Sequence, residues 1–512
     1  MKRSKKLIVI PALLAVSLGA LVVAGCSKNN AEETSSPDAA QSSAPALEKV
    51  KLRIVFPGDE PQAQREVADE IARVSRDELN VDLSFTYIPW DQYWNKVNTM
   101  ISSGESFDIF WNHASNLSQF VGKKGLYGMN ELLDKEGQDV KKVVPDSYWQ
   151  TSTIGGEIYG VSAVEPAADA NKILLIRKDL REKYGLPTIE TIADLEKYFD
   201  AVHKDEPTMM VHLGAGTPRF MYRELGNPIL IPTGGQAGDN ASVIYVDPTD
   251  PNLQVKSFYD SDIFKQLSAY GKKWNEAGWI PNLQEIKDHV GPFKEGLAAS
   301  VWATVGAAPL FMKEMKDKVP GVQLEEVFLN PTAPKYLNNA AGNLLSIPAT
   351  SEHADRAMKF INWIYKSQEN FDLMSYGIKD KHYVAQGEGM SLPVGVTPDK
   401  NPYNAINWAW SNINFNRFDV SYTDEDIQRM RDWDKNAVNS PLLGFQFDPA
   451  PVKNEIAQLN AIEAEFFSLM YTGVLDYDKN IGKYMERMKK AGLDKVIAEA
   501  QSQIDAVKAA KQ

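Results

Sequence analysis

The first part of the chain alternates between short apolar runs and amphipathic stretches. Residues 51–56 are rich in β-branched side chains and end at the turn signal Pro57-Gly58-Asp59, which predicts a strand. Apolar residues then recur at helical spacing up to Leu79, so we expect a helix there. Residues 81–88 alternate like a second strand, and the apolar run 107–111 predicts a third strand after another helix. This order predicts βαβ units, a parallel sheet and therefore an α/β fold.

The remainder of the chain continues in the same way and ends in helices. Residues 172–180 predict a strand that runs into a helix, and residues 293–305 predict a turn followed by a buried strand. Residues 219–251 are rich in Gly, Pro and Asn, which is typical of loops and hairpins. In residues 451–512 the apolar positions follow a helical period, so this tail is predicted to be helical.

One apolar run of near membrane-spanning length stands at the N-terminus. Residues 7–23 follow a basic start and are interrupted by Pro11 and Gly19, which predicts a secretory signal rather than a membrane span. Cys26, the only cysteine of the sequence, follows the small pair Ala24-Gly25. The segment resembles a bacterial lipoprotein signal, which implies that Cys26 becomes the lipidated, palmitate-bearing N-terminus. The alternative is an ordinary signal peptide with a chance cysteine.

Composition narrows the class of function. The formal net charge of −13 argues against a nucleic-acid partner, because neutralising phosphates requires a dense basic patch. The six histidines show no metal-binding spacing, and Cys26 is reserved for lipidation. No catalytic constellation is present in the sequence, so we expect neither an enzyme nor a bound cofactor.

Several segments carry a family resemblance through their order and spacing. In chain order they are KLRIVFPG, SGESFDIFW, GKKGLYGMNELL, IYGVSAVE, LLIRKDLREKYGLP with TIADLEKYF, FKEGLAAS with WATVG, and NLLSIPATSEHADRAMKFINWIY. Together they resemble the extracellular solute-binding proteins of ABC importers, in particular the carbohydrate-type subgroup that includes maltose-binding proteins. The part from SPLLGFQFDPAPVKNEI to AGLDKVIAEAQSQIDA resembles a C-terminal domain of unknown function in a LipO-like lipoprotein branch of this family.

The resemblance implies a two-lobed α/β fold of the periplasmic-binding-protein type II. Each lobe is expected to be a mixed sheet flanked by helices, with the ligand between the lobes. The chain is expected to cross between lobes near Glu165, Lys335 and Val396 and to close around a ligand by rotation there. The expected parts are a signal peptide (1–25), a flexible tether (26–47), lobe 1 (48–165 and 336–395), lobe 2 (166–335 and 396–440) and a helical C-terminal domain (441–512). That last domain either completes the second lobe or docks on the permease.

The same resemblance implies a receptor on the outer face of a Gram-positive cell membrane. It would capture an oligosaccharide, deliver it to the permease subunits of an ABC transporter, and carry out no bond chemistry itself. We expect a monomer that meets the membrane through its lipid anchor only. A carbohydrate-active surface enzyme and a surface adhesion lipoprotein are the alternatives.

Candidate ligand-binding residues follow from two rules. Ligands of open α/β sheets bind beyond the carboxyl ends of strands, and sugars require aromatic faces together with polar groups. Trp111 satisfies both rules and is followed by Asn112 and His113, although Trp111 is equally well interpreted as a core residue that caps the sheet. The other candidates are Asp59, Glu60, Glu165, Trp302, Asn343, Trp408, Trp410 and Arg417.

Two of these candidates leave alternatives open. Glu165 stands where maltose-binding relatives place a cleft carboxylate, and its alternative is a solvated loop acid. Paired with Asp59 or Glu60, it is also the only route we find to a glycosidase, which needs two carboxylates. Trp408 and Trp410 share one face only if their segment is extended.

Overall fold

The computed structural model describes residues 47–213, 219–233, 242–281, 290–337 and 342–510 of the 512-residue chain. The predicted signal peptide, Cys26 and nearly all of the tether lie outside the described residues. Within the described ranges, no helix has both the length and the apolar character needed to cross a membrane.

Strands and helices alternate along most of the chain, and helices alone form its end. In chain order the strands are β1 (Val50–Pro57), β2 (Val81–Ile88), β3 (Ile109–His113), β4 (Thr153–Ile154), β5 (Glu157–Ile158), β6 (Val161–Ser162), β7 (Lys172–Arg177), β8 (Ile229–Ile231), β9 (Ile244–Val246), β10 (Lys256–Ser257), β11 (Ser300–Thr304), β12 (Leu324–Val327), β13 (Tyr336–Leu337), β14 (Asn343–Ser346), β15 (Val384–Gln386), β16 (Gly389–Ser391), β17 (Phe418–Asp419) and β18 (Val438–Asn439). The α-helices are α1 (Gln64–Val74), α2 (Trp90–Ser103), α3 (Leu117–Gly122), α4 (Asn130–Glu136), α5 (Gln138–Val143), α6 (Asp146–Ser152), α7 (Lys178–Lys183), α8 (Ile192–Asp205), α9 (Arg219–Tyr222), α10 (Asp262–Glu276), α11 (Gly291–Lys294), α12 (Ala308–Met315), α13 (Ala354–Ile364), α14 (Gln368–Tyr376), α15 (Asp424–Arg431), α16 (Lys453–Tyr471), α17 (Tyr477–Lys490) and α18 (Leu493–Ala510).

The first lobe is built on a five-stranded sheet in the order β2-β1-β3-β14-β6. β1 runs parallel to β2 and β3, as the alternating sequence pattern predicts, whereas β14 is antiparallel to β3 and β6. α1 and α2 pack on the parallel part, and Val67, Ile71 and Val97 are fully buried there. The parallel part brings the carboxyl ends of β1, β2 and β3 to one edge, where a ligand site is expected.

The second lobe contains two small antiparallel sheets. One has the order β11-β7-β12 and the other the order β10-β9-β8. The predicted strand and helix of residues 172–180 are β7 and α7, and residues 293–305 turn at α11 into β11 as expected. The two-lobed α/β fold predicted from the sequence is therefore confirmed, but in the second lobe the described parallel pairing is limited to isolated bridges such as Leu213 with Val301.

The C-terminal helices belong to the second lobe. α16, α17 and α18 share one apolar core with α8 and α10, in which Leu459, Phe466 and Ile504 are buried with Trp274. A Cβ atom at Gly271 of α10 would lie 1.7 Å from the carbonyl oxygen of Tyr471, so these helices approach at a distance that only glycine permits. Of the two roles considered for this domain, completing the second lobe matches the observed packing.

The chain passes between the lobes in several adjacent segments. Val164 donates its N–H to Ser411 and accepts one from Ile413, at 2.7 and 2.8 Å, so two of these segments lie side by side. The expected position of the third crossing, near Val396, is wrong. Tyr403 and Trp410 lie in the core of the first lobe, and the chain reaches the second lobe's core only at Phe418.

Candidate functional site

A cavity of about 390 Å³ opens between the two lobes. The first lobe contributes the end of β3 and the start of β14, and the crossing segment 163–172 forms its floor. The second lobe contributes residues 227–232. The start of the C-terminal domain adds Leu442 and residues 445–447. The cavity thus lies at the carboxyl end of β3 and draws on both lobes.

His113 and Asn343 present polar groups from the first lobe. They are direct neighbours in the pairing of β3 with β14, and both line the cavity. His113 Nδ1 lies 2.8 Å from the Ser115 hydroxyl, and Asn343 Oδ1 accepts a hydrogen bond from the indole N–H of Trp111 at 3.0 Å. The indole therefore orients the Asn343 amide, which leaves the amide nitrogen available as a donor to a ligand.

Four tryptophans form a cluster next to this wall. Trp90 and Trp408 stack with centroids 5.6 Å apart, and both meet Trp111 edge to face at 5.4 and 5.3 Å. Trp94 packs on Trp111 at 4.9 Å. Trp111 is only 5% exposed, whereas Trp90 is 52% exposed. The cluster therefore consists of the buried Trp111 indole, the partly buried Trp94 and Trp408, and one exposed ring, Trp90.

Glu165 is the carboxylate at the floor of the cavity. Burial raises the pKa of its carboxyl group above the ordinary value, and a hydrogen bond from Ser411 and the charge of Lys172 partly oppose this shift. Its carbonyl oxygen accepts a hydrogen bond from the Tyr148 hydroxyl at 2.5 Å. A carboxyl group with a raised pKa is more readily available as a hydrogen-bond donor than an ordinary one.

The floor continues into a turn of left-handed backbone. Asp169, Ala170 and Asn171 have φ angles of 51°, 56° and 51°, a backbone region that residues other than glycine seldom adopt. Such strain persists only where the surroundings hold it. Here the Asp434 carboxylate accepts the N–H groups of the preceding residues, with closest distances of 3.0 Å for Ala167 and 2.8 Å for Ala168.

A buried ion pair fixes the same turn from the second lobe. Arg223 donates to the Asp169 carboxylate at 2.6 Å, and the two side chains are only 3% and 6% exposed. The guanidinium also donates to carbonyl oxygens within residues 329–334. The other oxygen of Asp169 accepts the N–H of Tyr336 at 2.9 Å and the amide of Asn227 at 3.2 Å. Asp169 thereby connects two crossing segments, and three protein donors already occupy most of the acceptor positions of its carboxylate.

Comparison with known sequence families settles the class of this two-lobed molecule. The sequence profile of the bacterial extracellular solute-binding proteins matches residues 59–370, more than half of the chain. This chain belongs to the bacterial extracellular solute-binding proteins. A second profile, a domain of unknown function named DUF3502, matches residues 441–509, so both parts of the resemblance read from the sequence are confirmed.

Individual relatives of this solute-binding protein cover nearly its whole length. A carbohydrate ABC transporter substrate-binding protein of Streptococcus pneumoniae is 24% identical over 465 residues, which are 90% of this chain and 91% of that one. The crystal structure of the N-glycan transport solute-binding protein NgtS from the same species superposes with a TM-score of 0.75 at 21% identity. It covers 91% of this chain and 100% of NgtS. An alginate-binding protein, AlgQ2, superposes with a TM-score of 0.63 at 17% identity, covering 90% and 99% of the two chains.

The structure of the solute-binding protein brings only some predicted site residues to the cavity. His113, Glu165 and Asn343 line it. Asn112 does not, because successive side chains of a strand point to opposite faces. It is fully buried and donates to the Ser346 hydroxyl at 3.2 Å.

Two further candidates are structural residues of the first lobe. Trp410 is 1% exposed, packs on Phe56 and donates its indole N–H to Ser375 at 2.9 Å. Arg417 donates to the Asp372 carboxylate at 2.6 Å within a nearly buried ion pair. Residues 407–409 form a 3-10 turn, so Trp408 and Trp410 point to different surroundings.

The remaining candidates lie outside the lining of the cavity. Trp111 is the buried support of the tryptophan cluster, and Trp408 is part of that cluster. Asp59 and Glu60 are exposed after β1. Trp302 lies on β11, and the Lys172 ammonium stands 5.0 Å from the centre of its ring. Of these two residues, only Lys172 lines the cavity.

Sequence reasoning missed residues of two kinds. Trp90 follows β2 almost directly, so the rule that selected the residues after each strand should also have selected it. Lys172, Asn227, Phe445 and Gln446 carry no comparable local signal, because only folding brings the second lobe and the C-terminal domain to the cavity. Within the described ranges, no cluster of acidic, histidine or cysteine side chains could hold a metal ion.

Proposed function

We propose that this protein is the lipid-anchored, extracellular receptor of an ABC importer, which binds an oligosaccharide in the interlobe cleft and delivers it to the permease. The observation that carries the proposal is the stacked pair of the exposed Trp90 and the partly buried Trp408 beside a cavity lined by amide, imidazole and charged side chains. Sugars present apolar C–H faces and rims of hydroxyl groups, and this arrangement offers a partner for each.

The names of the relatives support a sugar as the ligand. NgtS has been crystallised in complex with Man5GlcNAc, and that structure superposes with a TM-score of 0.65 at 22% identity. A carbohydrate ABC transporter protein covers nearly the whole chain. A partner permease follows from this class of importer, in which the receptor changes no bond of its cargo.

The cavity gives less support to the alternative of a glycosidase. Such an enzyme needs two carboxylates that flank the scissile bond. Glu165 lines the cavity, but Asp169, the other carboxylate of the described lining, is held in a buried ion pair with Arg223 and accepts two further hydrogen bonds from the protein. Asp59 and Glu60, the partners considered from the sequence, are exposed outside the cavity.

A thermal-shift panel of oligosaccharides tests the ligand class. It should include Man5GlcNAc, an alginate oligosaccharide and kestose. A true ligand at a hundred times its dissociation constant adds about 2.7 kcal/mol to the free energy of unfolding. The binders are then incubated with the protein and analysed for cleavage. No stabilisation by any glycan would contradict the proposal, and cleaved products would favour the enzyme.

Cell fractionation tests the anchor separately. Cys26→Ala should move the protein out of the membrane fraction or leave it as an unprocessed precursor, while the neighbouring control Ser27→Ala stays in the membrane fraction. A normally processed Cys26→Ala protein that remains bound to membranes would contradict lipidation at Cys26.

A further inference from the structure

Residues 440–447, here called the strap, connect the hinge between the lobes to the C-terminal domain of unknown function. The strap begins where Ser440 donates its N–H to Leu337 of β13 at 3.0 Å. It ends where Asp448 exchanges two hydrogen bonds with Gln503 of α18, at 2.8 and 2.9 Å. Both ends are therefore held, one at a crossing segment and the other on the last helix.

The middle of the strap rests on the first lobe, although the rest of its domain packs in the second. Leu443 is 4% exposed and belongs to the core of the first lobe. Gly444 has a φ of +79°, and a Cβ atom there would lie 2.9 Å from the carbonyl oxygen of Gln150 in α6. Gln446 donates its amide to the carbonyl oxygen of Thr151, the residue after Gln150, at 3.4 Å.

The neighbouring residues of the strap face the other way. Leu442 and Phe447 are buried in the core of the second lobe, and both also line the cavity together with Phe445 and Gln446. Phe445 is partly exposed, and its N–H donates to Leu442 at 2.9 Å, so a turn fixes its position. A partly exposed phenyl ring next to an amide is a second pairing of an apolar face with a hydrogen-bonding group, in the same cavity that His113 and Asn343 line.

We propose that the strap is a ligand-contacting wall of the cleft and that it makes the C-terminal domain a specificity element of the receptor. Phe445 packs against the C–H face of a sugar ring, and the free positions of the Gln446 amide bind its hydroxyl groups. A ligand held there touches residues tied to both lobes, so its contacts favour one relative position of the lobes. The inference rests on the proposed sugar-binding function.

Titration calorimetry on matched aromatic variants tests it. The probe is Man5GlcNAc, or, where this glycan does not bind, the member of the oligosaccharide panel that does. Phe445→Ala should weaken binding about tenfold or more, the change that corresponds to 1.4 kcal/mol. The control is Tyr484→Ala on α17, which removes a partly buried ring that packs 4.6 Å from Phe466 and lies outside the cavity lining. It should leave the affinity within about twofold.

A second variant keeps the test decisive where loss of Phe445 disturbs folding. Gln446→Ala removes one long, partly buried hydrogen bond of 3.4 Å, so the melting temperature should stay close to that of the wild type while the affinity falls. If the wild type binds a glycan and both strap variants bind it equally well, this inference is overturned and the proposed function stands. If the wild type binds no glycan of the panel, the proposed function fails and this inference fails with it.

Discussion

The two lobes build their walls of the cleft in different ways. The first lobe offers an aromatic surface, in which Trp90 and Trp408 lie over the buried Trp111 at the edge of a largely parallel sheet. In the described cavity lining neither lobe contributes a tryptophan: the tryptophan surface of the first lobe stands beside the cavity, whereas the second lobe presents the polar groups of Lys172 and Asn227 around a strained turn.

This difference separates contacts that need closure from contacts that do not. The tryptophan surface stands on one lobe only and is complete whatever the position of the other lobe. We expect the polar groups of the second lobe to reach a ligand held by the first lobe only after the lobes approach by the rotation that the family resemblance implies. A ligand that uses both walls therefore favours the closed form by its difference in affinity for the two forms.

The largest expected effect is a loss of stability when Trp111, the buried ring beneath Trp90 and Trp408, is removed. Trp111→Ala removes a 5% exposed indole that contacts several other rings, so it should lower the free energy of unfolding by about 3 to 5 kcal/mol. Urea denaturation measures this loss. A full-stability variant that binds no sugar would instead make Trp111 a direct ligand contact, as one interpretation of the sequence had it.

A loss of stability of similar size is expected when the Arg223–Asp169 ion pair of the strained turn is broken. Arg223→Met leaves the Asp169 carboxylate buried without its charge partner, which costs about 3 to 5 kcal/mol of the free energy of unfolding. The control is Arg487→Met, which breaks an exposed two-bond pair with Glu465 and should cost less than about 1 kcal/mol. Equal losses in the two variants would show that burial is not what makes the Arg223 pair important.

A smaller effect, on affinity alone, is expected at the exposed end of the aromatic wall. Trp90→Ala should weaken glycan binding by about 1 to 3 kcal/mol, with little change in the melting temperature, because Trp90 is 52% exposed. Tyr127→Ala removes a comparably exposed ring of the first lobe outside the cavity and serves as the control in calorimetry. Unchanged affinity of the Trp90 variant would show that Trp90 does not stack on the sugar, contrary to the proposed function.

The smallest effect concerns Glu165, where the two walls meet at the floor. Burial raises the pKa of its carboxyl above the ordinary value of 4.5, so the folded protein resists ionisation of this group more than the unfolded chain does. The stability that the wild type has relative to Glu165→Gln is therefore present below pH 4.5 and is lost as the pH rises through the folded-state pKa. Unfolding measurements on both proteins over this range test the sign.

Glu131→Gln is the matched control, with the opposite sign. A hydrogen bond and the charge of Lys135 lower the pKa of the exposed Glu131, so the stability that the wild type has relative to Glu131→Gln is present above pH 4.5 and is lost as the pH falls. If the stability difference for Glu165→Gln were also lost as the pH falls, burial would not be the main cause of the shift in the Glu165 pKa.

The sequence alone determined the order of strands and helices, because hydrophobic periodicity and turn residues act over a few positions. The strands β1, β2 and β3, the helical tail and the family were all predictable in this way. His113, Glu165 and Asn343 were found by the same reasoning, since His113 ends β3, Asn343 begins β14 and Glu165 follows β6 by three residues.

The tertiary structure alone decided which aromatic side chains are exposed and which distant segments share the cleft. Trp90 stands two residues after β2 and is exposed, whereas Trp111 lies in the middle of β3 and is buried under neighbouring rings, and no local pattern carries that difference. The strap reaches the cavity from more than 270 residues beyond Glu165 because its residues alternate between two cores. The physical reason is that burial depends on what packs against a residue, which is a property of the folded whole rather than of its sequence neighbours.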